Sequence, residues 1–236
     1  MTKDIDPANT PLTPNLEMTE EELQVLAQQL AKPEGARGQE VAKAMNESNH
    51  TMTVATFEAL AVNNDDNLLE IGFGNADHVP ELLAVASGLR YTGVDISETM
   101  VSEAKKANAS LTESGEATFH LGNGRQIDFA AGSFQRVFTV NTIYFWEDAT
   151  SYLQQIEQVM APGATLAIGY VRSDFLKTLP FTKWGFTFVD DTDINALTQH
   201  TSLTIDDILH LTTEVKDASG TPRTRPFSVA KLIKAG

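Results

Sequence analysis

The chain has 236 residues, of which 42% are hydrophobic, with no cysteine and a formal net charge of −15. This is enough apolar material for a sizeable core and suits one α/β domain with an accessory segment. The lack of cysteine excludes disulfides, thiolate metal sites and cysteine nucleophiles, and the acidic balance argues against a general nucleic-acid binder, because phosphates would be repelled. No apolar run reaches the roughly 18–20 residues of a membrane helix. Residues 1–18 carry Pro7, Pro11 and Pro14 and read as a flexible polar arm rather than a signal peptide. The expectation is a soluble, cytoplasmic protein with no membrane partner and no nucleic-acid partner.

Thr19 followed by Glu20, Glu21 and Glu22 marks a capped helix start with acids in the first turn. Leu23, Leu26, Ala27 and Leu30 continue at helical spacing until Pro33 and Gly35. A second helical stretch runs over about 39–60. The polar cluster Asn46-Glu47-Ser48-Asn49-His50 interrupts its apolar pattern, and reads either as a solvated break or as a helix face lining a pocket. Residues 19–62 together form an N-terminal helical cap.

The turn Asn63-Asn64-Asp65-Asp66 precedes the first strand, 67–72. Alternation follows: a helix over 76–87, a strand over 90–96, a helix from the Ser97 cap to about 113, a strand over 117–121, a strand over 134–140, a helix over 148–160 ended by Pro162-Gly163, and a strand over 164–170. Such alternation implies a parallel sheet covered by helices on both faces. Residues 171–189 break the pattern with Phe175, Phe181, Trp184, Phe186 and Phe188, and read as an aromatic lid or a satellite core. A helix over 190–200 precedes two long strands, 203–215 and 227–233, whose short turn-rich connection demands antiparallel pairing. The expected fold is thus α/β, a Rossmann-like seven-stranded, mostly parallel sheet with a C-terminal antiparallel hairpin.

The chemistry centres on Glu70-Ile71-Gly72-Phe73-Gly74-Asn75-Ala76. An apolar strand turns at two glycines straight into a helical pattern, where missing Cβ atoms let a ligand approach the backbone. Glu70, Asp95 and Asn123-Gly124 all fall at the carboxyl ends of adjacent parallel strands, where open α/β sheets bind ligands. Asp95 suits the two hydroxyls of a ribose, Ile96 an adenine face, and Asn123 an adenine edge. Plainer readings stand beside these: a helix cap for Asp95-Ile96-Ser97, a turn for Asn123-Gly124, and an incidental strand-end acid for Glu70.

The glycine stretch resembles the E/D-x-G-x-G-x-G signature of class I S-adenosylmethionine-dependent methyltransferases. Val94-Asp95-Ile96-Ser97, Gly122-Asn123-Gly124 through Val137, and Gln158 to Ala164 resemble the later motifs of the same family. Departures are Ala76 for the third glycine, Asn123 for an acid, Gln135 for an acid and Ala164 for a glycine. The resemblance implies that residues 63–236 form an S-adenosylmethionine-binding methyltransferase domain, with S-adenosylhomocysteine as product. It implies that Glu70, Gly72, Gly74 and Asn75 hold the methionine end, that Asp95 holds the ribose, that Ile96, Asn123, Gly124 and Arg125 surround the adenine, and that Asn141 touches the cofactor from the fourth strand. Glu70 is expected to face an ammonium group, which separates this cofactor from a nicotinamide dinucleotide.

A small-molecule acceptor is expected beside Tyr144, Trp146, Tyr170 and Trp184. Tyr144 and His50 are candidates for assisting proton removal; core packing and an ordinary structural histidine are the alternatives. His78, opening the helix after the glycines, is a further candidate near the cofactor carboxylate. No His/Asp/Glu spacing suggests a metal. A non-catalytic cofactor-binding module and a nicotinamide oxidoreductase remain as other readings, and a homodimer as one oligomeric state.

Overall fold

A computed structural model describes residues 18–216 and 220–236. The arm expected over residues 1–18 lies outside the described residues except for Met18, as does part of the turn at 217–219. The elements run α1 (Glu20–Ala31), α2 (Gly35–Glu58), β1 (Asn67–Ile71), α3 (Val79–Leu83), β2 (Arg90–Asp95), α4 (Glu98–Ala107), α5 (Ala109–Glu113), β3 (Ala117–Leu121), β4 (Phe134–Val140), α6 (Ala149–Val159), β5 (Met160–Val171), α7 (Ser173–Leu176), α8 (Asp191–Thr198), β6 (Leu203–Lys216) and β7 (Pro222–Lys234). Short 3-10 turns occupy Ile143–Phe145 and Pro180–Lys183.

The seven strands form one sheet in the order β3-β2-β1-β4-β5-β7-β6. β1 to β5 are mutually parallel, and β7 enters antiparallel between β5 and β6. Strand order reverses between β1 and β4. Right-handed crossovers then send α3 and α4 to one face and α6 to the other. That reversal opens a crevice at the carboxyl ends of β1 and β4. The fold is the expected Rossmann-like sheet with its closing hairpin.

β1 is buried at Leu68, Leu69, Glu70 and Ile71, as a strand covered on both faces requires. The main core runs on both sides of it, from Phe57 and Leu60 to Phe138, Leu166 and Val229. A second, smaller core joins Leu23, Leu26 and Ala27 of α1 to Phe181, with Trp184 and Phe186 packed against it. The aromatic stretch over 171–189 therefore packs with the first cap helix. No helix among the described residues is long and apolar enough to cross a membrane.

Several element boundaries differ from the sequence pattern, each for a local reason. α2 is unbroken for 24 residues, because the polar cluster finds partners on β7. The helix expected over 76–87 shrinks to Val79–Leu83, since Ala76 takes a positive φ of 57° and cannot begin a helix. The helix from Ser97 divides at Asn108, whose Nδ2 donates to Ala104 O and to Ala76 O, 3.0 and 3.1 Å. One amide thus closes α4 and fixes the glycine loop. β5 begins at Met160, with Pro162-Gly163 carried in an irregular register between Phe134 and Arg136 of β4.

Candidate active site

The loop after β1 turns on Gly72 and Gly74, with φ of 76° and 61°, a region only glycine enters without strain. A Cβ on Gly72 would strike the Thr142 methyl group, whereas a Cβ on Gly74 would meet nothing within 4 Å. Gly72 is therefore needed for packing, and Gly74 faces open space where a ligand can reach the backbone.

Asp95, at the end of β2, ties this loop down. Its Oδ2 accepts from Gly74 N at 3.0 Å and its Oδ1 from Ser97 N at 2.9 Å. A carboxylate has about four acceptor sites, so each oxygen keeps capacity for a ligand hydroxyl. Burial raises the Asp95 pKa to about 6; the N–H groups of Ser97 and Gly74 pull it down, and the Glu70 charge pushes it up. The Ser97 hydroxyl caps α4 at Met100 N and also donates to Pro33 O. Gly35 N donates to Thr99 Oγ1 at 3.0 Å. The α1–α2 connection is thereby fastened beside Asp95.

Glu70 is 2% exposed. Its Oε2 receives the Tyr91 hydroxyl at 2.5 Å and faces His78 Nε2 at 2.8 Å. Tyr91 crosses Gly93 to reach it: a Cβ on Gly93 would lie 3.0 Å from the Tyr91 hydroxyl and 2.5 Å from Phe73 Cδ1. Burial lowers the His78 pKa, but the charge and hydrogen bond of Glu70, aided by Asp77 and Glu81, outweigh it and leave the pKa raised. The Tyr91 hydroxyl is pushed well above its usual range by burial and then by Glu70. The result is a bonded support directly beneath the glycine loop.

Asn75 is part of the loop itself, donating from Nδ2 to Asp77 Oδ2 at 2.6 Å. Ile96 is half-buried, and its Cγ2 would lie 3.2 Å from a Cβ on Gly124. Asn123 Oδ1 accepts from Arg125 N and Gln126 N, 2.9 and 2.8 Å, so its carboxamide shapes the turn after β3. Arg125 leaves its charge outside, pairing with the exposed Glu147 at 2.8 Å.

At the end of β4, Asn141 adopts a positive φ of 59°, an uncommon conformation for a side-chain-bearing residue that asparagine tolerates better than most. Its Oδ1 accepts from the Tyr144 hydroxyl at 2.9 Å, and its Nδ2 approaches Met52 Sδ of α2 at 3.7 Å. The Tyr144 hydroxyl also accepts from Val171 N at 2.5 Å. Burial pushes its pKa up, while the Val171 bond and the charge of Arg225 oppose this. The net upward shift favours the neutral phenol.

Glu70, Gly72, Gly74, Asp95, Asn141 and Tyr144 thus lie along one sheet edge. The remaining candidates are placed differently. Trp146 Nε1 donates to Thr142 Oγ1 at 3.2 Å. The Tyr170 hydroxyl donates to Asp191 Oδ1 of α8 at 2.7 Å, on the opposite face of β5 from Gly169, which lies against Thr56 of α2. Trp184 belongs to the α1 core. His50, half-exposed, lies 3.8 Å from Glu81 Oε2. Sequence reading missed Tyr91, Thr142, Met52 and Arg225. Only the alternation of Tyr91, Gly93 and Asp95 on one face of β2 offered a signal for any of them.

Residues 69–168 match the family model described as a methyltransferase domain. The chain is 27% identical over 128 residues to the O-methyltransferase resE of Aspergillus sclerotiorum, covering 51% of this chain and 48% of that protein. It is 26% identical over 125 residues to the erythromycin 3''-O-methyltransferase of Saccharopolyspora erythraea, covering 53% and 41%. The chain spans about half the length of these curated relatives. A SAM-dependent methyltransferase from Aquifex aeolicus shares the fold, with a TM-score of 0.62 at 15% identity, covering 83% of this chain and 98% of that one. The glycine loop, its carboxylate and the strand order agree with these likenesses: residues 69–168 are similar to a methyltransferase domain, and the fold is that of the Aquifex aeolicus S-adenosylmethionine-dependent methyltransferase.

Proposed function

We propose that this protein transfers the methyl group of S-adenosylmethionine to a small-molecule acceptor at the carboxyl edge of β1 and β4. The single observation that carries the reading is Asp95, buried, bonded through both oxygens to the backbone of the loop, and adjacent to the open space at Gly74. The residues present fit the cofactor: backbone is accessible at Gly74, a carboxylate has spare acceptor capacity, and Ile96 and Gly124 form an apolar edge. When bound, the cofactor supplies an electrophilic methyl group on a sulfonium centre.

In this reading Gly72 and Gly74 hold the methionine portion. Glu70 supports them through Tyr91 and His78, and its negative charge favours an ammonium group nearby. Asp95 accepts from the ribose hydroxyls. Ile96, Asn123, Gly124 and Arg125 border the adenine, Arg125 through its backbone. Asn141, fixed by Tyr144 and Met52, positions the reacting end. In-line displacement asks mainly for alignment, which proximity supplies. Tyr144 fixes Asn141 and the end of β5, and its raised pKa makes it unsuited to removing a proton.

The acceptor is proposed to be small because the relatives' printed names include a small-molecule O-methyltransferase and the chain is acidic. Turnover of methyl-labelled cofactor against a panel of hydroxyl, amine and carboxylic-acid acceptors tests transfer. Labelled product is expected. A folded, cofactor-binding sample that labels nothing in the panel would instead favour a binding module.

A further inference from the structure

Arg225 lies on β7 two residues beyond Phe227, which pairs with Val171 at the end of β5. This carries it past the carboxyl end of the parallel sheet, near the Tyr144 hydroxyl that Val171 N holds. It is buried, with 8% exposure. Its Nη atoms donate to Ser48 O at 2.7 Å, to Asn49 Oδ1 at 3.0 Å and to Ser48 Oγ at 3.2 Å. All three acceptors are neutral. Its Nε is buried and has no acceptor among the described residues.

Arg136, somewhat less enclosed, shows the usual arrangement in this same protein: its Nε, which like that of Arg225 has no well-aligned hydrogen-bond acceptor, lies 2.9 Å from the Asp66 carboxylate. Arg225 forms no ion pair among the described residues. A buried charge normally demands an opposite charge, and leaving one without it is unfavourable unless a ligand brings it. Burial also lowers the Arg225 pKa, as expected of a cation lacking a counter-charge.

The position is specific. Ser48, Asn49, Met52 and Thr56 follow one another at helical spacing on α2. The first two receive Arg225, Met52 touches Asn141, and Thr56 lies against Gly169. One helix stripe therefore joins the unpaired cation to the end of β4. Tyr144 lies near Arg225, and its ring packs edge-on against Phe145 and tilted against Phe186, with centroids 5.9 and 5.8 Å apart. On a chain of net charge −15, an isolated buried cation at this edge is a selective attractor for anions.

We propose that Arg225 is the counter-ion for a carboxylate carried by the methyl acceptor. The Nε–H is enclosed and without an acceptor among the described residues, so a planar carboxylate engages the planar guanidinium by displacing a neutral Ser48 or Asn49 acceptor. The Tyr144 ring nearby suits an aromatic or other apolar body. This assignment rests on the methyltransferase reading for the word acceptor, but the anion site is testable by itself.

The full chain saturated with S-adenosylhomocysteine is titrated calorimetrically with benzoate and with benzamide, and a separate sample supplied with S-adenosylmethionine is assayed for methyl transfer to hydroxybenzoates and the matching hydroxybenzamides. Benzoate is expected to bind about tenfold more tightly than benzamide, with the same order in kcat/KM. Arg225→Met is expected to abolish the preference. Asn49→Asp gives a second variant that keeps the arginine: its carboxylate replaces the ligand's, so the preference should also disappear there. Equal or absent binding of both probes to the wild-type complex overturns the proposal, as does a preference that survives in both variants. If S-adenosylhomocysteine does not bind but benzoate preference remains and is lost in Asn49→Asp, the methyltransferase reading fails and the anion site stands.

Discussion

At the scale of single residues, Asp95 connects loop geometry to ligand affinity. Its carboxyl titrates at about 6, above the usual carboxylate value, chiefly because it is buried. A raised acid means that the free folded chain binds the proton more tightly than the unfolded chain. Its contribution to stability therefore declines as pH rises from the ordinary carboxylate range to about 6, and is flat above. Ribose hydroxyls require the ionised form, so cofactor affinity should run the other way. It is expected to rise with pH through about 6 and level off near 7, approaching a tenfold change per unit below. Calorimetry with S-adenosylhomocysteine at pH 5 to 8 measures this, and Asp95→Asn should flatten the curve. Tyr144 makes a separate expectation. As a positioning group it should tolerate Tyr144→Phe with a turnover loss of about tenfold or less and an unchanged pH profile. A general base would cost about 10²–10⁴-fold.

The residues at this scale divide by how their partners are separated in the chain. Glu70, Gly72 and Gly74 were readable because one contiguous turn carries them, and Asp95 because it ends the next strand. Tyr91 was not, because its bond to Glu70 spans 21 residues and exists only once β1 and β2 pair. Arg225 was beyond reach, its contact with Ser48 spanning 177 residues. Asn123 was read as a ligand group, and the structure shows its oxygen turned to its own loop, a use the Asn-Gly pair had also allowed.

Among elements, α2 matters most. Its sequence left two readings for Asn46 to His50, which has no apolar residue: a solvated break or a helix face lining a pocket. Helical geometry instead places Ser48 and Asn49 one turn from Met52, so the polar cluster faces β7 while the flanking turns face β4 and β5. Close contact between α2 and β5 depends on Gly169, where a Cβ would collide with Thr56 Oγ1. Gly169→Ala should displace the helix and cost about 1–3 kcal/mol by overpacking, read as a lower urea midpoint at constant slope. It should also weaken the Met52–Asn141 contact, so cofactor affinity should fall with stability. An unchanged midpoint would mean that α2 is not held against β5 as described. The sequence boundaries erred where a side chain from another element intervened, as at Asn108, or where a positive φ delayed a helix, as at Ala76.

On the scale of the whole molecule, alternation of strands and helices was enough to give a parallel sheet closed by an antiparallel pair. It could not place β7 inside β6, because both are long and the order depends on which strand buries more. β7 is buried at Phe227, Ser228, Val229, Ala230 and Leu232, whereas β6 is mostly exposed, so β7 takes the inner position. The reversal between β1 and β4 then gathers the glycine loop, Asp95, Asn141 and Tyr144 at one edge, and the hairpin brings Arg225 to the same end. The central claim is that this edge holds S-adenosylmethionine. Its most direct test is calorimetric titration of the full chain with S-adenosylhomocysteine and with NAD, in parallel with Asp95→Ala. Saturable binding of S-adenosylhomocysteine, no binding of NAD, and a loss of about tenfold or more in Asp95→Ala are expected. A folded chain that binds NAD instead, or whose affinity for S-adenosylhomocysteine is unaffected by Asp95→Ala, would contradict it.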